Sequence, residues 1–136
     1  MIKNTPKYII TGGAGFIGSH LVEHLVKKNR KVVVIDNLST GRLENLKEFK
    51  GKIKFIKCDI SKKGKWMNEF KGQFYVFHLA ALADIVPSIQ SPKKYFESNV
   101  TGTLNILEAS RQGKIKKILY SASSSCYGIP TRYPTN

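Results

Sequence analysis

The sequence predicts an α/β fold, a doubly wound parallel sheet in the order 3-2-1-4-5 with helices on both faces. Three observations predict it. A glycine-rich stretch, Thr11-Gly12-Gly13-Ala14-Gly15-Phe16-Ile17-Gly18, stands between a β-prone segment and an amphipathic helix pattern. Short β-branched or aromatic runs alternate with helical patterns along the chain, which implies right-handed crossovers between parallel strands. The chain has 136 residues, 41% of them hydrophobic, enough for one domain with a core of its own.

Lys7-Tyr8-Ile9-Ile10 reads as the first strand. In the following helix Ile17, Leu21 and Leu25 make one apolar row, widened by Val22 and Val26. Ser19, Glu23 and Lys27 make the opposite row, with Glu23 set to pair with Lys27 one turn on. Between strand and helix the three glycines have separate tasks. Gly12 allows the tight turn, Gly15 lets the backbone approach a pyrophosphate, and Gly18 lets the helix pack close on the strand. Free N–H groups at the helix start then face an anion. The stretch is therefore a candidate dinucleotide site.

Lys31-Val32-Val33-Val34-Ile35 is an unbroken β-branched run, as a buried parallel strand requires. It ends at Asp36, whose carboxylate is placed to accept from both adenosine ribose hydroxyls and to repel a 2′-phosphate. NAD is favoured over NADP on that ground, with Arg42 the one nearby cation. Asn37-Leu38-Ser39-Thr40-Gly41 reads as a loop beside the adenosine. Arg42 to Lys50 reads as a short helix with Leu43, Leu46 and Phe49 inward. The third strand, Ile53 to Cys58, leads into Asp59-Ile60, a carboxylate and an apolar side chain suited to the adenine amino group and ring face. Lys62 to Lys71 is weakly helical, with Trp66 and Phe70 spaced for packing on one another.

Phe74 to Leu79 is the fourth strand. The small residues Ala80-Ala81 after it permit close approach of a cofactor, so this is the expected nicotinamide side. Ser91-Pro92 reads as a helix start, serine as cap and proline in the first turn. That helix runs to Gly113 with Tyr95, Phe96, Val100, Leu104 and Leu107 expected inward and Asn99 as a polar candidate for the site. Lys116 to Tyr120 is the fifth strand, leading into Ser121-Ala122-Ser123-Ser124-Ser125-Cys126-Tyr127-Gly128. Ligands are expected across the C-terminal strand ends, between strands 1 and 4.

The formal net charge is +14, from 23 basic and 9 acidic residues. Lysine pairs such as Lys27-Lys28, Lys62-Lys63, Lys93-Lys94 and Lys116-Lys117 are scattered, with no arginine cluster. They read as a solvated surface that attracts anionic nucleotides, and no nucleic-acid partner is expected. Cys58 and Cys126 lie far apart without metal-type spacing and read as buried thiols of a reduced, cytoplasmic protein. Met1 to Pro6 is too short and polar for a signal peptide, and no apolar run suggests a membrane span. His20 and His24 have a metal-ligand spacing but no evident third ligand, so no metal is expected. The serine triplet lacks a Gly-x-Ser-x-Gly elbow and a placed base, which argues against a nucleophilic serine.

Taken in order, Thr-Gly-Gly-Ala-Gly-Phe-Ile-Gly (11–18), Asp-Asn-Leu-Ser-Thr-Gly (36–41), Cys-Asp-Ile (58–60), His-Leu-Ala-Ala (78–81), Asn-Val-Thr-Gly-Thr (99–103) and Ser-Ala-Ser-Ser-Ser-Cys-Tyr-Gly (121–128) span nearly the whole chain. In these motifs the chain resembles the amino-terminal half of an extended short-chain dehydrogenase/reductase, in the NAD-dependent nucleotide-sugar epimerase/dehydratase group. The resemblance implies a Rossmann-type domain over residues 1–136, incomplete and without a carboxy-terminal substrate lobe. It implies that Gly12, Gly15, Phe16, Ile17 and Gly18 form the pyrophosphate turn. Asp36, with Asn37, Ser39, Thr40 and Gly41, would hold the adenosine ribose, and Asp59 with Ile60 the adenine. Leu79, Ala80 and Ala81 would flank the cofactor, with Asn99 and Ser121 supporting it. Ser123 matches the catalytic serine or threonine that hydrogen-bonds the reacting sugar hydroxyl, and Ser88 a serine near cofactor and substrate phosphates.

Within that group, dehydratases resemble one another in an Asp-Glu pair after the catalytic threonine, and decarboxylases in a Glu two residues after it. Here those positions are Ser124 and Ser125. The resemblance therefore points to 4-epimerisation of a UDP-hexose or an N-acetylated equivalent, through a transient 4-keto sugar. A dehydratase or reductase of the same family, a free-standing NAD-binding module and a basic nucleic-acid-binding protein are the alternatives. The family's base is the tyrosine of a Tyr-x-x-x-Lys pair; Tyr127 is followed by Thr131 at the lysine position, and Tyr133 by no lysine. The chain is thus expected to be a fragment, inactive alone, whose fifth strand is an uncovered edge open to homodimerisation.

Overall fold

In a computed structural model, residues 7–72, 74–123, 128–129 and 131–132 are described. Five strands form one parallel sheet in the order β3-β2-β1-β4-β5. They are β1 (Lys7–Thr11), β2 (Lys31–Asp36), β3 (Ile53–Lys57), β4 (Phe74–His78) and β5 (Lys117–Tyr120). Ile9 and Ile10 are both completely buried, as are Val34 and Ile35, because successive side chains point to opposite faces and both faces are covered. On one face Ile10, Val32 and Val34 meet Val22 and Leu25 of α1 (Phe16–Lys27) and Leu46. On the other, Ile9, Val33, Ile35 and Val76 meet Trp66, Phe70, Ile106 and Ala109.

The two connections read as weak helices are 3₁₀ turns, Leu43–Phe49 and Lys65–Phe70. Leu46 is buried while Leu43 is half in solvent, since a turn this short buries only one of its apolar residues. Trp66 and Phe70 pack edge to face at 5.8 Å, both buried. A short helix absent from the sequence reading, α2 (Ile85–Gln90), precedes α3 (Pro92–Phe96). Ser91 sits at the N-cap position of α3 with Pro92 after it, but its side chain makes no capping bond. No helix among the described residues is long and apolar enough to cross a membrane.

Two faces differ from expectation. The buried row of α1 is Gly18, Val22 and Leu25, and Ile17 is 66% exposed. A Cβ built on Gly18 would lie 2.2 Å from the Gly12 carbonyl oxygen, so the helix touches β1's turn at Gly18 and Ile17 falls outside that contact. The helix expected after Ser91 is interrupted by a π-turn, Glu97–Thr101, before α4 (Gly102–Gln112). Its inward residues are Gly102, Asn105, Ile106, Ala109 and Ser110, while Phe96, Val100, Leu104 and Leu107 are exposed. Small residues win because the backbones approach closely. A Cβ on Gly102 would meet Ile60 at 3.0 Å, and one on Gly113 would lie 2.1 Å from the Phe70 carbonyl oxygen. Bulk marked the wrong face.

Both findings are checkable by urea denaturation. Gly18→Ala forces the helix off its turn and is expected to cost about 1–3 kcal/mol. Ile106→Ala is expected to cost about 2–5 kcal/mol, whereas Leu104→Ala should fall within about 0.5 kcal/mol. Equal losses at Ile106 and Leu104 would contradict the assigned face of α4.

Candidate functional site

The C-terminal strand ends carry two clefts that share Leu79, Ala80 and Ala81. The first is walled by Gly12 and Gly15, by Asp36, Asn37, Ser39, Thr40 and Gly41, and by Asp59 and Ile60. The second is walled by His78, Leu82 and Ala83, by Asn99 and Thr103, and by Tyr120 to Ser123. The fold therefore brings most of the candidate site residues onto one continuous surface. Ser124, Ser125, Cys126, Tyr127 and Tyr133 lie outside the described residues.

The three glycines meet different surroundings. Gly12 has φ +70°, and a Cβ there would lie 2.7 Å from the Ala80 nitrogen. Gly18 is the helix contact already described. Gly15 differs: it is extended, φ −75° and ψ 177°, and a Cβ would meet only the Gly12 carbonyl oxygen, at 3.3 Å. The chain constrains Gly15 less than Gly12 or Gly18, although a Cβ 3.3 Å from a backbone oxygen is already a tight contact, and Gly15 lines the first cleft.

Asp36 is 7% exposed. Its Oδ2 accepts the Ala14 N–H at 2.9 Å and its Oδ1 the Leu38 N–H at 2.8 Å. One carboxylate thus fixes both the glycine turn and the loop after β2, and each oxygen keeps acceptor capacity for a hydroxyl in the cleft. Ala14 is tied from its other side as well: its carbonyl accepts the Arg42 N–H at 3.0 Å and the Asn45 side-chain amide at 2.9 Å. Gly41 must be small, because a Cβ would sit 2.9 Å from Ala14. Asp59 accepts the Ser61 N–H at 2.9 Å, and Asn105 donates to the Ile60 and Ser61 carbonyls at 2.9 and 3.0 Å. Cys58 lines the same cleft, where burial pushes its thiol up to about 11.

A directional chain runs under the second cleft. Thr103 Oγ1 donates to the Asn99 carbonyl at 2.6 Å, so it accepts from His78 Nε2, 2.9 Å away. His78 then carries its proton on Nε2, and Nδ1 accepts from Thr11 Oγ1 at 2.6 Å. Thr11 Oγ1 in turn accepts the Ala80 N–H at 3.3 Å. Asn99, on the π-turn, accepts the Leu82 N–H at 2.9 Å and donates to the Leu82 carbonyl at 2.8 Å. Its amide is committed to holding the loop after β4. Thr11, Thr103, Asn105 and Asn45 carry this framework, and the sequence reading missed their roles. Thr103 had a signal, standing in the Asn-Val-Thr-Gly-Thr stretch, whereas Asn45 and Asn105 had none.

Other candidates stand apart. Phe16 and Ile17 are 79% and 66% exposed and line neither cleft. Phe16 packs edge-on against His20 at 5.0 Å. Ser88 lies on α2 with its hydroxyl donating to the Ile85 carbonyl at 2.6 Å, away from both clefts' walls. Among the described residues no three His, Cys, Asp or Glu side chains gather as a metal site.

Burial lowers the His78 pKa from 6.5 to about 4. The unfolded chain then binds a proton between those values that the folded chain excludes. Stability is whole above pH 6.5 and falls as pH drops through that window, by up to about 3 kcal/mol. Urea midpoints of the wild type and His78→Gln at neutral pH and near pH 5 check this. The wild-type loss on acidification is expected to exceed that of the non-titrating variant, and equal losses would contradict the assignment.

Residues 8–136 match the model of the NAD dependent epimerase/dehydratase family. The chain is 35% identical over 131 residues to UDP-glucose 4-epimerase of Streptomyces lividans, covering 94% of this chain and 39% of that protein. It is 41% identical over 124 residues to UDP-N-acetyl-alpha-D-glucosaminuronate decarboxylase of Bacillus cytotoxicus, covering 90% and 38%. The solved structure of UDP-N-acetylglucosamine 4-epimerase from Methanobrevibacter ruminantium M1, in complex with UDP-N-acetylmuramic acid, superposes with a TM-score of 0.88 at 38% identity, over 96% of this chain and 42% of that one. The chain spans about two fifths of the length of these relatives. With its parallel sheet, its glycine turn tied to Asp36 and this match over nearly its full length, the chain belongs to the NAD-dependent epimerase/dehydratase family.

Proposed function

We propose that this chain is the cofactor-binding domain of an NAD-dependent nucleotide-sugar 4-epimerase acting on UDP-glucose and UDP-galactose or their N-acetylated equivalents. The observation that carries the reading is the first cleft, which sets the Gly12–Gly15 turn beside the Asp36 carboxylate that is bonded to it through Ala14. The residues present fit NAD. The backbone at Gly15 and the start of α1 would meet the pyrophosphate, Asp36 the ribose hydroxyls, and Asp59 with Ile60 the adenine. Leu79 to Ala81 would pass the dinucleotide into the second cleft, where Asn99 and Thr103 hold the wall. When bound, NAD supplies a hydride acceptor and donor.

The chain's own residues bind and orient. Asp36, which lines the first cleft, would meet a 2′-phosphate there, and like charge would select NAD over NADP. Ser123, on the second cleft, would hydrogen-bond the sugar 4-hydroxyl whose carbon is oxidised to the 4-keto sugar and reduced again on the other face. Ser88 remains a proposed contact of the substrate phosphates. Ser124 and Ser125 supply no carboxylate for elimination or decarboxylation, which favours epimerisation over the decarboxylase chemistry of the Bacillus relative. Tyr127, the tyrosine nearest Ser123 in sequence on its C-terminal side, has Thr131 at the fourth position after it and so does not make a Tyr-x-x-x-Lys pair.

Calorimetry with NAD and NADP tests the binding half. NAD is expected to bind at least about tenfold more tightly than NADP, a difference of about 1.4 kcal/mol. Gly15→Leu should abolish NAD binding in a chain that remains folded, with a urea midpoint somewhat lowered because the new Cβ crowds the Gly12 carbonyl. Absent binding by the folded wild type, or equal affinity for NADP, overturns the reading. Interconversion of UDP-galactose and UDP-glucose by this polypeptide alone is expected to be undetectable, and measurable turnover would refute that part.

A further inference from the structure

The lysines that look scattered in the sequence are gathered by the sheet register. All five strands run parallel, so their N-terminal ends share the edge opposite the clefts. Lys7 pairs with Lys31 and with Phe74. Val32 pairs with Ile53, which puts Lys52 level with Lys31. Tyr75 pairs with Lys117, which puts Lys116 level with Phe74. One level of the sheet therefore reads Lys52, Lys31, Lys7, Phe74, Lys116, and its four lysines are exposed. Adjacent strands lie about 4.8 Å apart, so the row is about 19 Å long.

The row is deepened on one side. Lys54 and Lys71 join Lys7, Lys31 and Lys52 around a surface cleft whose one acidic wall residue, Glu69, is paired with Lys54 at 2.7 Å. Helix C-termini also attract cations. The last turns of α1 and α4 already carry Lys27 and Arg111, so the row exceeds that need. A line of cations suits a linear polyanion better than a planar membrane, and lysine point charges without arginine forks suit phosphates read without sequence preference.

We propose that this lysine row binds the phosphodiester backbone of single-stranded nucleic acid, independently of the cofactor clefts and without base specificity. This reverses the expectation drawn from the linear spacing of the lysines, because that spacing does not contain the register. The surface is one strand length, roughly 16 Å, from the clefts, so it and the dinucleotide site are separable.

Fluorescence anisotropy of a short labelled oligouridylate against salt concentration tests it. Four neutralised phosphates give a slope of log affinity on log salt of about −3. Removing three cations in Lys7→Gln/Lys31→Gln/Lys52→Gln should reduce the slope by about 2 units. Lys62→Gln/Lys63→Gln/Lys94→Gln removes the same charge outside the row and should leave the slope near wild type. Saturating NAD should not displace the oligonucleotide. The proposal is overturned if both triple variants weaken binding equally, if NAD competes, or if vesicles containing anionic lipid bind the chain while the oligonucleotide does not.

Discussion

Backbone meets backbone at the centre of this fold, with nothing between. Gly12 lies against the Ala80 nitrogen and Gly18 against the Gly12 carbonyl, each at a distance that a single methyl group would violate. That contact sets how near α1 comes to β1 and how near the loop after β4 comes to the turn. The two clefts meet at Leu79 to Ala81, beside it. Widening the contact would separate the clefts and tilt the start of α1 away from them. The glycine spacing is a statement about clearance first and about ligands second.

Polar bonds then lock what the glycines bring close. Asp36 reaches back to Ala14 and forward to Leu38, so one buried carboxylate sets two loops. On the far side of β1 the chain Ala80–Thr11–His78–Thr103–Asn99 crosses from the sheet to the π-turn with every donor direction fixed by the terminal carbonyl. A buried network of this kind is stable only when complete, because an orphaned group in a low dielectric is costly. The π-turn fits that demand: an extra residue in the helix at Glu97–Thr101 is where the Asn99 amide reaches Leu82. Rigid walls of this sort spare a ligand the cost of ordering them.

Much of this was legible. Val32 to Ile35 read as a buried parallel strand, and Gly12 and Gly18 announced the tight turn and the close helix contact. Asp36 was legible as a strand-end acid, but its hold on Ala14 was not, because a bond across 22 positions leaves no local trace. The face of α4 was misread since large apolar residues usually mark a core. Here Gly102, Ala109 and Gly113 make the contact, and Phe96, Val100, Leu104 and Leu107 point away. His78 read as strand-end structure, and only the fold shows its two hydroxyl partners, one of them 67 positions distant. The lysine row escaped notice for the same reason, since register is not a property of any one segment.

The sheet order carries a temporal consequence. β1 is flanked by β2 on one side and by β4 on the other, and β4 is synthesised only after β2, β3 and their connections. A nascent chain that has emerged as far as Phe70 has the residues of the Asp36–Gly41 and Asp59–Ile60 walls of the first cleft but no Leu79 or Ala80 against its glycine turn. Parallel pairings of high sequence separation close slowly, because loop entropy is paid before the contacts form. The first cleft is therefore completed late in synthesis, with the arrival of a strand that inserts beside β1.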